Sequence, residues 1–278
     1  MRSSNVWCYL AVVFFIAFGS AQAQIRERAA ISYQGLSSDS GETGLAEGWL
    51  SERWFLDAEG NRLLQAGLQL RRTELPGELR GLPDDVWMIV PQANYLHTID
   101  ENYSLIANLR FGVFSDMERI GGRDLRAEGA VVVDRVIRDN LTLGLGVGRV
   151  SNFGRLMHIP LVHIIWSINE FWLLDAMLPG KLDLSYLASS TWEFALSFNI
   201  TGARYSIESE ERKIDGLGVG QMNLGPQVRY QVAPQVYVTA ESGLAFARRL
   251  SLLDENTEIR KLEPNNEVYL RLGLQYRF

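Results

Sequence analysis

The feature that most constrains the fold of this chain is a repeated alternation of apolar and polar residues. In residues 266–278 every second position is apolar, namely Val268, Leu270, Leu272, Leu274, Tyr276 and Phe278. Because successive side chains of a β-strand point to opposite faces, this segment presents one apolar face and one mainly polar face. The same period recurs in residues 64–71, 102–114, 141–150, 192–201 and 222–232. The chain is therefore predicted to be all-β.

Alternation by itself is consistent with two kinds of barrel, because a soluble barrel also alternates, with its apolar side inward. Strand length favours a membrane barrel. Soluble strands usually run ~5–6 residues and membrane strands need ~9–11, and several segments here alternate for ten residues or more. The polar faces are rich in glycine, serine, threonine, asparagine and glutamine, which suits a wet lumen better than a soluble surface dense in lysine and glutamate.

The connections between these segments alternate between short and long. The short ones are residues 57–60, 100–101, 138–140, 168–170, 189–190 and 233–235. The others are mostly longer, at residues 74–86, 115–123, 208–216 and 251–265, with brief exceptions at 151–155 and 179–181. Outer-membrane barrels have this asymmetry, with tight periplasmic turns and longer external loops. We therefore predict a transmembrane antiparallel β-barrel of about 12–14 strands, where fourteen requires residues 29–36 and both segments beside Pro179 to be strands.

Aromatic residues gather beside the short connections. They are Tyr103, Trp166, Phe171, Trp172, Trp192, Tyr230, Tyr237, Tyr276 and Phe278. Amphipathic rings prefer the boundary between membrane and water, so this placement predicts an aromatic girdle at one end of the barrel.

The N-terminus has the pattern of a secretory signal peptide. Arg2 precedes an apolar run over residues 6–18, and Ala21-Gln22-Ala23 fits the small-x-small pattern of a cleavage site. The run is too short for a spanning helix, which needs ~20 apolar residues. We predict cleavage after Ala23, a segment of residues 24–46 that includes a candidate first strand, and a barrel over residues 47–278 in the cell outer membrane. Cys8, the only cysteine, leaves with the signal.

The charge of the chain argues against a nucleic-acid partner. The formal net charge is −6, and removal of Arg2 with the signal makes it −7. A mildly acidic chain with mixed charges does not attract a phosphate backbone. The expected partners are instead the lipids of the outer membrane and, during biogenesis, the barrel-assembly machinery.

Two groups of residues carry a resemblance to known proteins. The C-terminal run that ends in Leu272, Leu274, Tyr276 and Phe278 resembles the assembly signal of bacterial outer-membrane proteins. Residues 141–250 contain Ile159-Pro160-Leu161, Met177-Leu178-Pro179-Gly180-Lys181-Leu182, Ser185-Tyr186-Leu187, Gly202-Ala203-Arg204-Tyr205 and Leu224-Gly225-Pro226-Gln227-Val228-Arg229-Tyr230. This stretch is similar to an uncharacterised outer-membrane β-barrel family, domain of unknown function 6268. The resemblance implies a barrel and a location, and it carries no reaction, ligand or site residue.

The histidines, glycines and serines of the chain do not form a recognisable enzyme or metal site. His158 and His163 are five residues apart on one strand and therefore point to opposite faces, so they cannot share a metal. Gly144, Gly146 and Gly148 are predicted to make room on the inner face, because the helix that a phosphate-binding loop needs does not follow them. Ser151 and His158 flank one connection without an evident third group for hydrolysis. We expect no enzyme activity, no cofactor and no metal.

The remaining candidates are charged residues that the alternation places on the lumen side. They are Arg71, Arg110, Arg126, Glu128, Asp134, Glu193, Arg229, Glu241 and Arg271. In a wide barrel such residues line a pore and set its selectivity, whereas in a packed one they pair across strands and fill the interior. The first hypothesis is thus a passive channel or carrier for small solutes. The second is a non-conducting structural or surface-interaction barrel.

Overall fold

The computed structural model describes residues 27–36, 43–76, 82–151, 154, 156–208, 214–254 and 257–277. The predicted signal peptide and Phe278 lie outside these residues. In the described ranges the chain forms fifteen β-strands: β1 (Glu27–Leu36), β2 (Thr43–Phe55), β3 (Arg62–Glu74), β4 (Asp85–Thr98), β5 (Tyr103–Ser115), β6 (Leu125–Arg138), β7 (Leu141–Val150), β8 (Met157–Ser167), β9 (Trp172–Leu178), β10 (Lys181–Leu187), β11 (Trp192–Ser206), β12 (Gly216–Ala233), β13 (Val236–Asp254), β14 (Thr257–Leu262) and β15 (Glu267–Arg277).

Fourteen of these strands close into an antiparallel barrel. Each strand from β1 to β12 pairs with the next one, β13 pairs with β15, and β15 pairs with β1. Ladder hydrogen bonds therefore continue around the whole circumference, which leaves no free edge within a membrane. The predicted fold class is confirmed, with the strand number at the upper value of the predicted range.

The strand boundaries bear on three parts of the sequence prediction. The predicted barrel boundary at residue 47 falls within β2, and the candidate segments beside Pro179 are β9 and β10, with seven residues each. The predicted loop of residues 251–265 holds the end of β13 and the short β14, which pairs only with β13. That loop prediction was wrong because β12 and β13, with 18 and 19 residues, extend beyond the other strands.

The barrel has an apolar outer face and a mainly polar inner face. Leu145 and Val147 on β7 are 71% and 68% exposed, whereas Gly144 and Gly148, which flank them, are buried. Exposed rings lie beside the short turns: Trp54, Phe55, Tyr103, Trp166, Phe171, Trp172, Tyr186, Trp192, Tyr230 and Tyr276. No helix in the described part of the chain is long and apolar enough to cross a membrane.

At the end with the longer loops, part of the wall crosses the barrel. Residues 200–206, 216–222 and 248–254 are the outer parts of β11, β12 and β13, and we call them the flap. β11 meets β5 in a parallel pairing of Ser206 with Ser115, although five strands separate β5 from β11 on the shorter way around the barrel. The backbone N–H of Asp116 also donates to the Ser206 carbonyl at 3.3 Å. Opposite walls therefore touch at this end.

A hydrophobic core holds the flap against the opposite wall. Its members from the wall are Leu75, Val86, Met88, Val90 and Phe114, and those from the flap side are Ala203, Tyr205, Ile207, Ile214, Leu217, Leu250 and Leu252. The rings of Phe114 and Tyr205 lie 6.4 Å apart between centroids. Removing this apolar surface from water stabilises the contact between the two walls, at ~25 cal/mol per Å² buried.

Candidate functional site in the barrel interior

The inner side chains of the barrel are packed against one another. Gln65, Asn94, His163 and Asn223 have no exposed surface, although they come from β3, β4, β8 and β12. Polar groups on strands that are not ladder neighbours also bond over the inner face, since Gln34 on β1 donates to Asn223 on β12 at 3.4 Å. Side chains that line a water-filled channel keep contact with water, and these do not.

Arginines and carboxylates on the inner face pair between neighbouring strands. Four such pairs join residues that are directly opposite in the ladder: Arg71–Glu47, Arg110–Glu128, Arg229–Glu193 and Arg271–Glu241. The Arg110, Arg229 and Arg271 pairs have N–O distances of 3.1, 2.5 and 3.0 Å. Opposite charges that face each other on adjacent strands stabilise the pairing and cancel most of the interior charge.

The pair of Arg271 and Glu241 lies in the most extended of these networks. Arg271 Nη1 donates to Glu241 at 3.0 Å, and Arg271 Nε donates to Gln34 at 3.1 Å. The hydroxyl of Tyr269 donates to the other oxygen of Glu241. Gln34 in turn bonds Asn223 on β12, so the network links the four consecutive strands β12, β13, β15 and β1. Satisfied groups of this kind rigidify a buried polar interior.

Arg126 occupies a different position from the other predicted arginines. It lies near the outer end of β6, where its Nη2 donates to Ser206 Oγ at 3.0 Å. Ser206 Oγ donates to the Arg123 carbonyl at 2.9 Å. Arg126 thus ties the wall to the flap.

Asp134 is bound to a histidine on a strand that is not its neighbour. Both oxygens of Asp134 on β6 lie 2.9 Å from Nδ1 of His163 on β8, and both side chains are buried. The contact passes over β7 at Gly144, where a Cβ would lie only 1.9 Å from Asp134 Oδ1. The predicted role of the glycines in making room on the inner face is therefore met at this position.

The structure separates the residues that we considered as a hydrolase pair. Ser151 is buried and donates to Glu128, whereas His158 is exposed on the outer face. His158 and His163 lie on opposite faces of β8, as their spacing predicts. Among the described residues, no group of three or more histidine, cysteine, aspartate or glutamate side chains is arranged to hold a metal ion.

Several inner residues with direct charge partners were absent from the sequence prediction, among them Glu47, His163 and Lys181. Glu47 was missed because the predicted barrel began at that residue, although it alternates with Ala46 and Gly48 on β2. The sequence prediction considered His163 only as a possible metal ligand. Lys181 follows the tight turn at Pro179 and lies 2.6 Å from Asp183. Only the local alternation of polar and apolar residues on β10 could have placed Lys181 on the inner face.

These features define a class of protein. A closed barrel of fourteen strands, with an apolar outer face, an aromatic girdle beside its short turns and a polar interior, is an integral outer-membrane β-barrel protein. The family described as Domain of unknown function (DUF6268) matches residues 78–277, so the chain belongs to this family.

Comparison with solved structures found other barrels. The NanC porin is 11% identical with a TM-score of 0.44, over 90% of this chain and 99% of that chain. A Pseudomonas aeruginosa FadL homologue is 10% identical with a TM-score of 0.47, over 90% and 89%. LpxR from Salmonella typhimurium is 8% identical with a TM-score of 0.37, over 90% and 100%. At these identities and scores the likeness carries no information on solute, partner or reaction. Comparison with curated proteins found no match.

Proposed function

We propose that this protein is a non-conducting barrel that serves as a structural or surface-interaction element of the outer membrane. The observation that carries this proposal is the contact between opposite walls, where Ser206 of the flap pairs with Ser115. Below that contact, Arg71, Arg110 and Arg271 are buried with their carboxylate partners. The proposed barrel is closed by its own side chains.

The rival hypothesis is a passive channel or carrier for small solutes. It requires charged side chains that meet water along the barrel axis, as in a selective pore. Among the pairs described above, partial exposure is greatest for Glu193 and Arg229, which lie near the short-turn end. The burial of the other pairs therefore favours the closed barrel. We also propose that the protein has no enzyme activity, because Ser151 and His158 are on opposite faces.

The proposal includes the route by which the barrel reaches its membrane. We propose export with signal cleavage after Ala23, insertion by the barrel-assembly machinery, and recognition through Leu272, Leu274, Tyr276 and Phe278. The described members of this set, Leu272, Leu274 and Tyr276, are exposed on the outer face of β15. Outer-membrane lipids are then the contacts of that face.

Conductance of the purified protein in a planar bilayer tests the proposal. We expect silence from protein that shows the heat-modifiable migration of a folded barrel. Reproducible open steps from the unmodified protein would contradict the closed barrel and support the channel.

A triple variant sharpens this test. Arg110→Gln, Arg229→Gln and Arg271→Gln together leave carboxylates without partners, so a closed barrel loses stability and gains conductance. An open channel instead keeps its stability and shifts its reversal potential towards cation selectivity, because the lumen then carries excess negative charge. The second pattern would overturn the proposal.

A further inference from the structure

A groove lies on the lipid-facing side of β5 to β8. It has a volume of about 680 Å³, and its outward-facing lining includes Leu109, Ala127, Gly129, Val131, Val147 and Pro160. Leu109, Val131 and Val147 are exposed apolar residues. The groove belongs to the outer face, because Glu128 and Gly148, which alternate with these residues, are buried.

The floor of the groove is formed by Gly129. In the ladder Leu109 is opposite Gly129, Gly129 is opposite Arg149, and Arg149 is opposite His158. The four residues therefore form one row across β5 to β8. Since Gly129 has no side chain, the row has a gap between the apolar Leu109 and the basic Arg149.

Two basic side chains border the groove and have no neutralising partner among the described residues. Arg149 and His158 are both exposed, and neither makes a hydrogen bond or ion pair with any residue in the described part of the chain. Arg72 provides a contrast, because it also lies on the outer face of the barrel. Its guanidinium lies 2.6 Å from Asp85 and 3.1 Å from Glu74.

The position of Arg149 points to the kind of molecule that would meet it. It lies next to Val150, the last residue of β7, and therefore at the end with the longer loops, where the outer leaflet meets water. A charged side chain on the lipid side of a barrel is costly unless it reaches the headgroup region and finds an opposite charge. Arginine binds phosphate oxygens through charge-assisted hydrogen bonds.

We propose that this groove binds a phosphate-bearing lipid of the outer leaflet. The headgroup phosphate accepts hydrogen bonds from Arg149 and His158, and one acyl chain lies over Gly129 against Leu109, Val131 and Val147. The occupant is a lipid because the apolar part of the groove opens onto the membrane. The basic pair beside the groove complements a negative headgroup.

Native mass spectrometry of the folded barrel in detergent tests this site. The probes are dioleoyl phosphatidic acid and dioleoylglycerol, which share their acyl chains and differ by the phosphate. We expect phosphatidic acid to bind about tenfold more tightly or better, as one charge-assisted hydrogen bond implies. Arg149→Gln should remove most of that preference, and His158→Gln should reduce it.

Two control variants separate the site from general attraction. Arg72→Gln removes a positive charge from the same outer face, and it should leave the phosphatidic acid affinity unchanged because Asp85 and Glu74 already neutralise that arginine. Ala127→Trp fills the apolar half of the groove and should weaken binding of both lipids. All these substitutions are at residues on the outer face, and heat-modifiable migration checks the folding of each variant.

Three results would overturn the proposal. They are equal affinity for the two lipids, an equal loss with Arg72→Gln and Arg149→Gln, or displacement of phosphatidic acid by an equal concentration of inorganic phosphate. The last result would mean that the basic pair binds a free anion and that the groove contributes nothing.

Discussion

Substitution in the buried pair of Arg271 and Glu241 tests whether water reaches the barrel interior. Their side chains are 7% and 2% exposed, and Arg271→Met removes the charge that faces Glu241 while retaining an apolar chain. Glu241 then keeps the Tyr269 hydroxyl as its described hydrogen-bond partner. Leaving a buried carboxylate without its cation typically costs about 3–5 kcal/mol. We expect a loss of folding free energy in that range.

The pair of Arg229 and Glu193 is a matched comparison within the same barrel. It has the same chemistry and the same cross-strand geometry, but its side chains are 13% and 22% exposed. Water therefore reaches the carboxylate when the arginine is removed. Arg229→Met should cost only about 1 kcal/mol, as for an accessible ion pair.

Urea unfolding in lipid vesicles, followed by tryptophan fluorescence and by heat-modifiable electrophoresis, measures both losses. The double variant Arg271→Met with Glu241→Leu should recover most of the stability, because no charge is then left buried. If Arg271→Met and Arg229→Met each lose only a small and equal amount of folding free energy, the conclusion that Glu241 is shielded from water is refuted. That result would mean that water hydrates the whole interior.

Three further predictions concern the two faces of the wall and its assembly. Leu145→Arg should cost about 2–4 kcal/mol of folding stability in urea unfolding, as charges on the lipid face of barrel strands do. Gly144→Val should destabilise by about 1–3 kcal/mol in urea unfolding because a Cβ there meets Asp134, whereas Gly148→Ala, where the nearest atom is 3.2 Å away, should cost less. Phe278→Asp should reduce the outer-membrane yield in fractionated cells and leave protein in the periplasm, and a normal yield would count against the predicted assembly signal.

The alternation in the sequence predicted the wall of the barrel because it is a local property. Each side chain on β15 or β7 takes its face from its position in the strand, so the apolar row through Leu270, Leu272 and Leu274 could be assigned without knowledge of the neighbours. The alternation gave a range of 12–14 strands and no single number, because β9 and β10 are too short to display a long alternation.

The contact between the flap and the opposite wall could not be predicted in the same way. The contact of Ser115 with Ser206 joins residues that are distant in the chain and on opposite walls, and each lies at a strand end where alternation gives no partner. In the sequence, the residues of the flap core resemble ordinary strand and loop residues. Only the structure shows that Phe114 packs against Tyr205. The pairing of Asp134 with His163 across Gly144 likewise depends on which strands are next-nearest neighbours.

The short hairpin of β9 and β10 has a consequence for the surrounding bilayer. A strand of seven residues extends ~23 Å along its own axis at ~3.3 Å per residue, and a tilt of ~35–45° reduces its height to ~16–19 Å. The apolar band of an outer-membrane barrel is ~25 Å tall, so the wall is several ångströms too low at this hairpin. Lipids beside Pro179 and Gly180 are therefore expected to compress while those beside β12 and β13 do not. The barrel thereby produces a membrane that is thinner on one side of it than on the other.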